Sequence, residues 1–248
     1  MTPLHASMQT HRLVDIVVGP QPTTEVRLSS AEPLEATLRA GRWCAVAGGL
    51  VLLSVHFFNA FVLDGAVTAL DANQDGTPLA WASAVAIWTV AVAALVAATM
   101  RTGPLRELLF LACATAFFSL DDMIGVHERL AKMLVLQYGV MDPWDGALFP
   151  LVYLPLFAVS AVLILRVARS GTSATFRDAV VGLSLLVAAV ALQTLSAPWS
   201  ADTNLLLTVV GGIEESMKLA GWILIASATL VVMLANVVRR ATSSTGIR

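Results

Sequence analysis

Two short runs hold most of the side chains in this sequence that could do chemistry. The first, Ser119-Leu120-Asp121-Asp122-Met123-Ile124-Gly125-Val126-His127-Glu128, supplies three carboxylates and an imidazole. On one continuous helix, at about 100° per residue, Asp121 and Glu128 share a face with Gly125 between them, and Asp122 and His127 flank it. Gly125 removes bulk beside the carboxylates and lets another helix or a ligand approach. The second run, Glu214-Glu215-Ser216-Met217-Lys218, sets Glu214 and Lys218 at (i, i+4) in the favoured order. Both runs lie within long apolar blocks. An ionisable group at the centre of a bilayer costs about 2.5–3.5 kcal/mol or more, so such groups usually mark function. His56 joins the set for the same reason.

Carboxylates and imidazole together form the ligand set of Zn, Mn or non-haem Fe. On that reading Asp121, Asp122, His127 and His56 are candidate metal ligands. Glu214, Glu215 and Glu128 are candidate catalytic groups, one of them a general base toward a metal-activated water. The same groups could instead share protons between neighbouring carboxyls. A plainer alternative stands beside both. Glu128 with Lys132 and Glu214 with Lys218 are then interfacial ion pairs, and His56 is a satisfied core histidine. Lys218 could also pair across helices with Asp121 or Asp122. Asn59 and Gln193-Thr194 are candidate hydrogen-bonding groups behind the site. The loop Asp71-Ala72-Asn73-Gln74-Asp75-Gly76 matches the first half of an EF-hand calcium loop, but its twelfth position is Ala82 where a bidentate Glu is needed. It therefore reads as an Asx-rich turn.

Glu214-Glu215-Ser216-Met217-Lys218 resembles the E-E-x-x-K element of membrane-embedded proteases of the PrsW and CAAX-processing kind. In those families a glutamate pair on one helix works with His and carboxylate groups on others. The likeness covers five residues of the 248. Those families place the glutamate pair before the histidine helices, whereas here the pair comes last and no F-x-x-x-[HE] element follows. The resemblance implies a style of reaction rather than a shared fold.

The elements that must position these groups are membrane helices. The chain is 57% hydrophobic and 13% charged, with mean hydropathy +0.79; soluble domains carry about 25% charged residues. Its apolar residues come in blocks long enough to cross a ~30 Å hydrocarbon core and lack the alternation of barrel strands. Spans are expected at about 43–63, 79–100, 105–130, 148–165, 179–197 and 213–238, with Pro104 in the first turn of the third and Gly211-Gly212 interrupting the last. The fold class is thus an all-α polytopic bundle of six transmembrane helices. Residues 1–40 form a polar, disordered cytoplasmic tail, 41–240 the membrane domain and 241–248 a second tail. Arginines before span one, between spans two and three, between four and five, and after six put both termini in the cytoplasm. Trp144 and Trp199 suit an outer aromatic belt. Cys44 and Cys113 read as small core residues.

At ~1.5 Å per residue, His56 lies roughly 21 Å from Arg42 and Asp121 roughly 23 Å from Arg106. The expensive groups therefore gather toward the outer face, above apolar inner halves. This pattern implies an outward-facing Asp/His/Glu pocket in a multi-pass protein of a bacterial plasma membrane, reached by a lipid, peptide or small molecule from outside. Three functions fit: a metal-assisted hydrolase, a proton- or cation-coupled transporter or channel, and a non-enzymatic sensor or accessory subunit. Net charge of −2 leaves no basic face for nucleic acid. Oligomeric state is open.

Overall fold

The computed structural model describes residues 23–72, 76–126, 129, 133, 145–196 and 204–244. Six helices account for nearly all of them: α1 Thr23–Val62, α2 Pro78–Thr99, α3 Leu105–Ile124, α4 Asp145–Arg169, α5 Ser173–Ser196 and α6 Asn204–Ser244. Among the described residues there is no strand. Side chains at 23–31, 145–152, 204 and 241–244 lie outside the described set, as do His127, Glu128, Lys132, Trp144 and Trp199.

Local chemistry fixes several helix ends. Thr77 caps α2, its hydroxyl accepting from Ala80 N at 3.3 Å, and Pro78 takes the first helical position, where no N–H is needed. Pro104 is the residue before α3 rather than part of its first turn, and its carbonyl accepts from Leu108 N at 3.1 Å. Ahead of α5, Thr172 N donates to Thr175 Oγ1 at 2.9 Å and Thr175 N donates to Thr172 Oγ1 at 3.2 Å. This reciprocal pair works as a capping box does, with threonine in place of Glu.

Packing in α2 shows what surrounds the bundle. Its buried positions are mostly small: Ala80, Ser83, Ala84, Ala91, Ala94 and Ala98 among them. Its exposed positions are large: Trp81, Val85, Trp88, Val92 and Leu95. The same holds on α1, where Trp43, Leu50 and Phe58 face outward. In water such a surface would aggregate; in lipid, close helix approach favours small residues inside and leaves large ones to the acyl chains. Cys44 and Cys113 are on this exterior, free and exposed, not in the core. Their small size gives them no preference between the two environments.

Among the described residues, four helices are long and apolar enough to cross a membrane: Glu32–Val62, Pro78–Thr99, Ser173–Ser196 and Leu205–Arg240. In α3 the apolar stretch is flanked by Arg106 and Glu107 at one end and Asp121 and Asp122 at the other.

Helix α6 is the hub, packing on α1, α2, α4 and α5. Against α1 it runs antiparallel: Gly41 meets Ser227, Gly49 meets Ser216 and His56 meets Gly212. Against α5 the backbones touch, since a Cβ on Gly182 would lie 2.7 Å from Gly221 O and one on Gly221 2.8 Å from Gly182 O. Against α2 it runs parallel, Arg240 donating to the carbonyls of Met100 and Arg101. The shared core is Ile87, Val90, Leu111, Ile164, Leu186, Trp222 and Ile225.

Three elements differ from the sequence expectation. Helix α1 begins at Thr23 and runs through Pro33 into the span, so the helical rod starts well before the expected boundary at 43. Gly211-Gly212 does not interrupt α6, which is continuous. Gly212 instead makes room for a neighbour, because a Cβ there would sit 2.6 Å from His56 Cδ2. Conversely α3 stops at Ile124. Gly125 adopts φ 56°, ψ 45°, and its N–H donates to Asp121 O at 2.8 Å, a left-handed helix end that glycine takes without steric cost. Arg129 N then donates to Gly125 O at 3.1 Å, so a new turn begins there.

Candidate functional site

Charge divides the bundle into two ends. Arg42, Arg101, Arg106, Arg166, Arg169, Arg177, Arg239 and Arg240 lie at one, joined by contacts between Arg42 and Asp178, Arg166 and Glu107, and Arg240 and the end of α2. Asp71, Asp121, Asp122, Glu214 and Glu215 lie toward the other. Among the described residues, the candidate site residues belong to this acidic end.

His56, on α1, is 2% exposed and fully engaged by backbone. Its Nδ1 accepts from Ala72 N at 3.1 Å and its Nε2 lies 2.9 Å from Thr208 O on α6. An amide N–H can only donate, so Nδ1 carries no proton, and Nε2–H donates to Thr208. Asp71 Oδ1 stands 3.4 Å from the same Nδ1. The ring thus ties the loop after α1 to the start of α6, and in this arrangement neither nitrogen faces a metal. Asn59 works one turn on: its side-chain oxygen accepts from Val67 N at 3.1 Å and its backbone carbonyl from Gly65 N at 2.8 Å. Both residues shape the 63–72 loop. Asp71 and Ala72 of the EF-hand-like stretch belong to this structure, and residues 73–75 lie outside the described set.

Glu214, Glu215 and Lys218 form a closed triad on α6. The ammonium lies 2.6 Å from Glu214 Oε1 and donates to Glu215 Oε1 at 2.7 Å. Relative exposures are 9%, 17% and 23% for the three side chains. Lys218 therefore pairs within its own helix, not across to α3. Two carboxylates gather on one ammonium.

Asp121 and Asp122 occupy the last turn of α3, both partly buried. Asp121 is near enough to the Tyr153 phenol for its charge to act on it, and Tyr153 stacks on Phe117 with ring centroids 5.6 Å apart. Their level relative to the triad follows from register. Phe118 and Trp222 meet with centroids 6.5 Å apart, and α3 and α6 are antiparallel because α3 folds back on α2 through Ser119 Oγ to Ala84 O. One turn beyond Phe118 is Asp122; one turn before Trp222 is Lys218. The aspartates and the triad thus lie at matching height on two helices that touch at the aromatic pair below. Beside them Ser83, 1% exposed, has a hydroxyl with no partner among the described residues.

Among the described residues no three His, Cys, Asp or Glu side chains gather closely enough to hold a metal ion. Two expected participants, His127 and Glu128, lie outside the described residues. The helix end at Gly125 also removes the continuous face on which Asp121 and Glu128 were to sit. Gln193 and Thr194 are on the last turns of α5, where Thr194 bonds its own helix at Val190 O.

One buried charge was missed altogether. Asp178 on α5 is 4% exposed, and Arg42 Nε reaches its two oxygens at 3.0 and 2.9 Å. Arg177 Nε adds a contact at 3.7 Å. In the sequence Asp178 sits beside Arg177 at a helix start, where charged residues are ordinarily solvated. The signal available was its distance from any other acid on the arginine-rich side.

Residues 43–233 match the family described as Domain of unknown function (DUF8692). The chain belongs to that family. No curated protein and no solved structure matches it. The DUF8692 region runs from the first turns of the membrane part of α1 to deep within α6, so it takes in His56, Asp121, Asp122, the Glu214–Lys218–Glu215 triad and Asp178. It leaves out Arg42, Arg239 and Arg240.

Proposed function

We propose that this protein is a six-span membrane protein with both termini cytoplasmic, whose acidic end faces outward and binds a proton or a small cation at the Glu214–Lys218–Glu215 triad. The observation that carries this reading is the cluster itself: two largely buried carboxylates gathered within 2.7 Å of one ammonium. Carboxylates crowded together in a low-dielectric site favour uptake of a proton or a cation. Asp121 and Asp122 at the same height extend the acidic surface toward α3, and the Ser83 hydroxyl offers a buried oxygen nearby. The layer below, from Trp222 to Met233, is apolar and closely packed. It supports sensing or gated binding in preference to an open conduit.

Metal-assisted hydrolysis is the competing reading, favoured by the matched height of Asp122 and the glutamates. It requires Lys218 to leave Glu214 or Glu215 so that a Zn, Mn or Fe ion can take its place beside Asp121 or Asp122 and His127.

Infrared difference spectroscopy during acidification separates the two. Proton binding gives a protonated-carboxyl band that disappears in Glu214→Gln or Glu215→Gln. Stoichiometric metal in protein purified without chelator, lost in Asp122→Asn, overturns the proton reading and supports the other. Reporters fused after Asp75, Asp145 and Asp202 should be external and those after Arg101, Arg169 and Arg240 cytoplasmic; an internal signal at Asp145 refutes the six-span topology.

A further inference from the structure

His56 joins three segments through a ring that can change its charge. Its Nδ1 accepts from the Ala72 amide, its Nε2–H donates to Thr208 on α6, and Asp71 Oδ1 stands 3.4 Å from the same Nδ1. Nδ1 therefore faces a donor and an acceptor at once, and it can serve one of them at a time. In the neutral ring, with the proton on Nε2, it accepts from Ala72. In the protonated ring both nitrogens are donors, so Nδ1–H opposes the Ala72 amide and bonds to Asp71 instead. A carboxylate has lone pairs for several donors, so Asp71 can take this bond beside any other it holds. The bond from Nε2–H to Thr208 is the same in both states. The change is confined to the loop side of the ring.

The surrounding fold decides what that change moves. The first half of the 63–72 loop hangs on Asn59, through Val67 N and Gly65 N. A single 3-10 turn, Thr68–Leu70, follows, and Asp71 N donates to Thr68 O. The last residue of the loop hangs on His56. The Ala72 side chain packs with Leu52 and Leu219 in a small buried cluster. An Ala72 amide without its acceptor is therefore a buried, unpaired donor until that end of the loop moves. The Asp71 side chain is 34% exposed and leads from solvent to the buried ring. Among the described residues, the charged groups on the elements around the ring are Asp64 and Asp71 on the loop and Glu214, Glu215 and Lys218 on α6. Asp64 is exposed. The three α6 groups contact one another and begin two residues past Gly212, whose missing Cβ gives the ring its space. From Trp43 to Val62 α1 has no other ionisable group than Cys44 and His56, and α2 has none. We infer that His56 is an acid-operated latch: protonation at Nδ1 passes the ring from Ala72 to Asp71 and frees the end of the 63–72 loop, while α1 and α6 stay joined.

Hydrogen exchange of the full chain in lipid nanodiscs, followed from mildly alkaline to mildly acid pH and corrected for the intrinsic rate, tests the latch. In the wild type, protection of the loop segment ending at Ala72 should fall roughly tenfold on acidification, as expected when a buried amide loses its acceptor. The α5–α6 contact at Gly182 and Gly221 should stay protected throughout. Asp71→Asn deprives the protonated ring of its carboxylate, so the same opening should need a roughly tenfold higher proton concentration. His56→Phe should be open at every pH, with no acid step. Glu214→Gln combined with Glu215→Gln should keep the wild-type step, which separates the latch from proton binding at the triad. Loop protection unchanged by acid, an acid step that persists in His56→Phe, or one that disappears in the double glutamate variant would overturn the inference. So would loss of loop and α5–α6 protection together, which marks global acid unfolding.

Discussion

The molecule buries charge in two places, and the two are built oppositely. At the basic end Arg42 on α1 reaches Asp178 on α5 across 136 residues of sequence. At the acidic end Lys218 meets two glutamates three and four residues away on its own helix. The first cluster joins helices; the Lys218 contacts of the second lie within α6. The balance differs as well. Asp178 has one close cation and a second, Arg177, whose side chain is 64% exposed and therefore solvated. The triad sets two carboxylates against one ammonium at largely buried positions. A cluster that links distant elements with its charge balanced has an evident structural role. A cluster that gathers two carboxylates on one ammonium within a single helix has no such evident role, and this contrast underlies the functional reading.

The contrast breaks most visibly at Asp178. Asp178→Ala removes the acid and leaves Arg42 facing a cavity at the α1–α5 contact. A buried pair broken on one side costs about 3–5 kcal/mol, and since Arg42 is about one-third exposed the loss should fall near the lower figure. Thermal unfolding in detergent should show it as the largest drop among single charge substitutions. If Asp178→Ala unfolds with the wild type, the pair does not fasten the helices and the comparison loses its structural half.

Lys218→Met comes next. It should destabilise by about 3 kcal/mol, because two partly buried carboxylates lose the ammonium they share. The informative variant is the triple one with Glu214→Gln and Glu215→Gln, which removes the charge entirely. Stability should then return toward the wild-type value, because the Lys218 contacts it removes lie within α6. No such rescue is expected for Asp178→Ala combined with Arg42→Met, where an inter-helix contact is gone. A double-mutant cycle at each site measures the difference.

Four of the apolar blocks, those of α1, α2, α5 and α6, could be read from sequence because backbone satisfaction in lipid demands ~20 helical residues per crossing. Glycine could not be read so directly. Gly125 and Gly212 both looked like residues that either end a helix or admit a neighbour, and each took the role assigned to the other. The choice depends on what packs alongside. His56 fills the space at Gly212, whereas the backbone at Gly125 turns left-handed. His56 itself was recognisable as a costly buried group. Its partners were not, because both are backbone atoms of remote segments, Ala72 and Thr208, which carry no side-chain signature.

A smaller effect is expected at that histidine. His56→Phe keeps the ring volume and removes both hydrogen bonds. The buried Ala72 amide then lacks its acceptor, which costs about 1–3 kcal/mol. The change should be local: hydrogen exchange at Ala72 and the 63–72 loop should accelerate while the α5–α6 contact at Gly182 and Gly221 stays protected. Loss of metal in His56→Phe, with the loop still protected, would instead return the ring to the ligand set.

The smallest stability effect should come from Glu215→Gln, and that makes it the sharpest probe of function. The substitution keeps the side-chain shape and leaves Lys218 its 2.6 Å contact with Glu214, so a balanced one-to-one pair remains. Partly exposed pairs on one helix contribute about 0–1 kcal/mol, and lifting the excess charge offsets even that. The unfolding temperature should therefore stay within a few degrees of the wild type or rise slightly. If the triad existed to stabilise α6, its loss would lower stability and leave any proton- or cation-dependent signal unchanged. If the excess charge is the binding determinant, stability holds while the carboxyl protonation band or the cation response is lost. A variant that folds as well as the wild type and no longer responds assigns the buried imbalance to function.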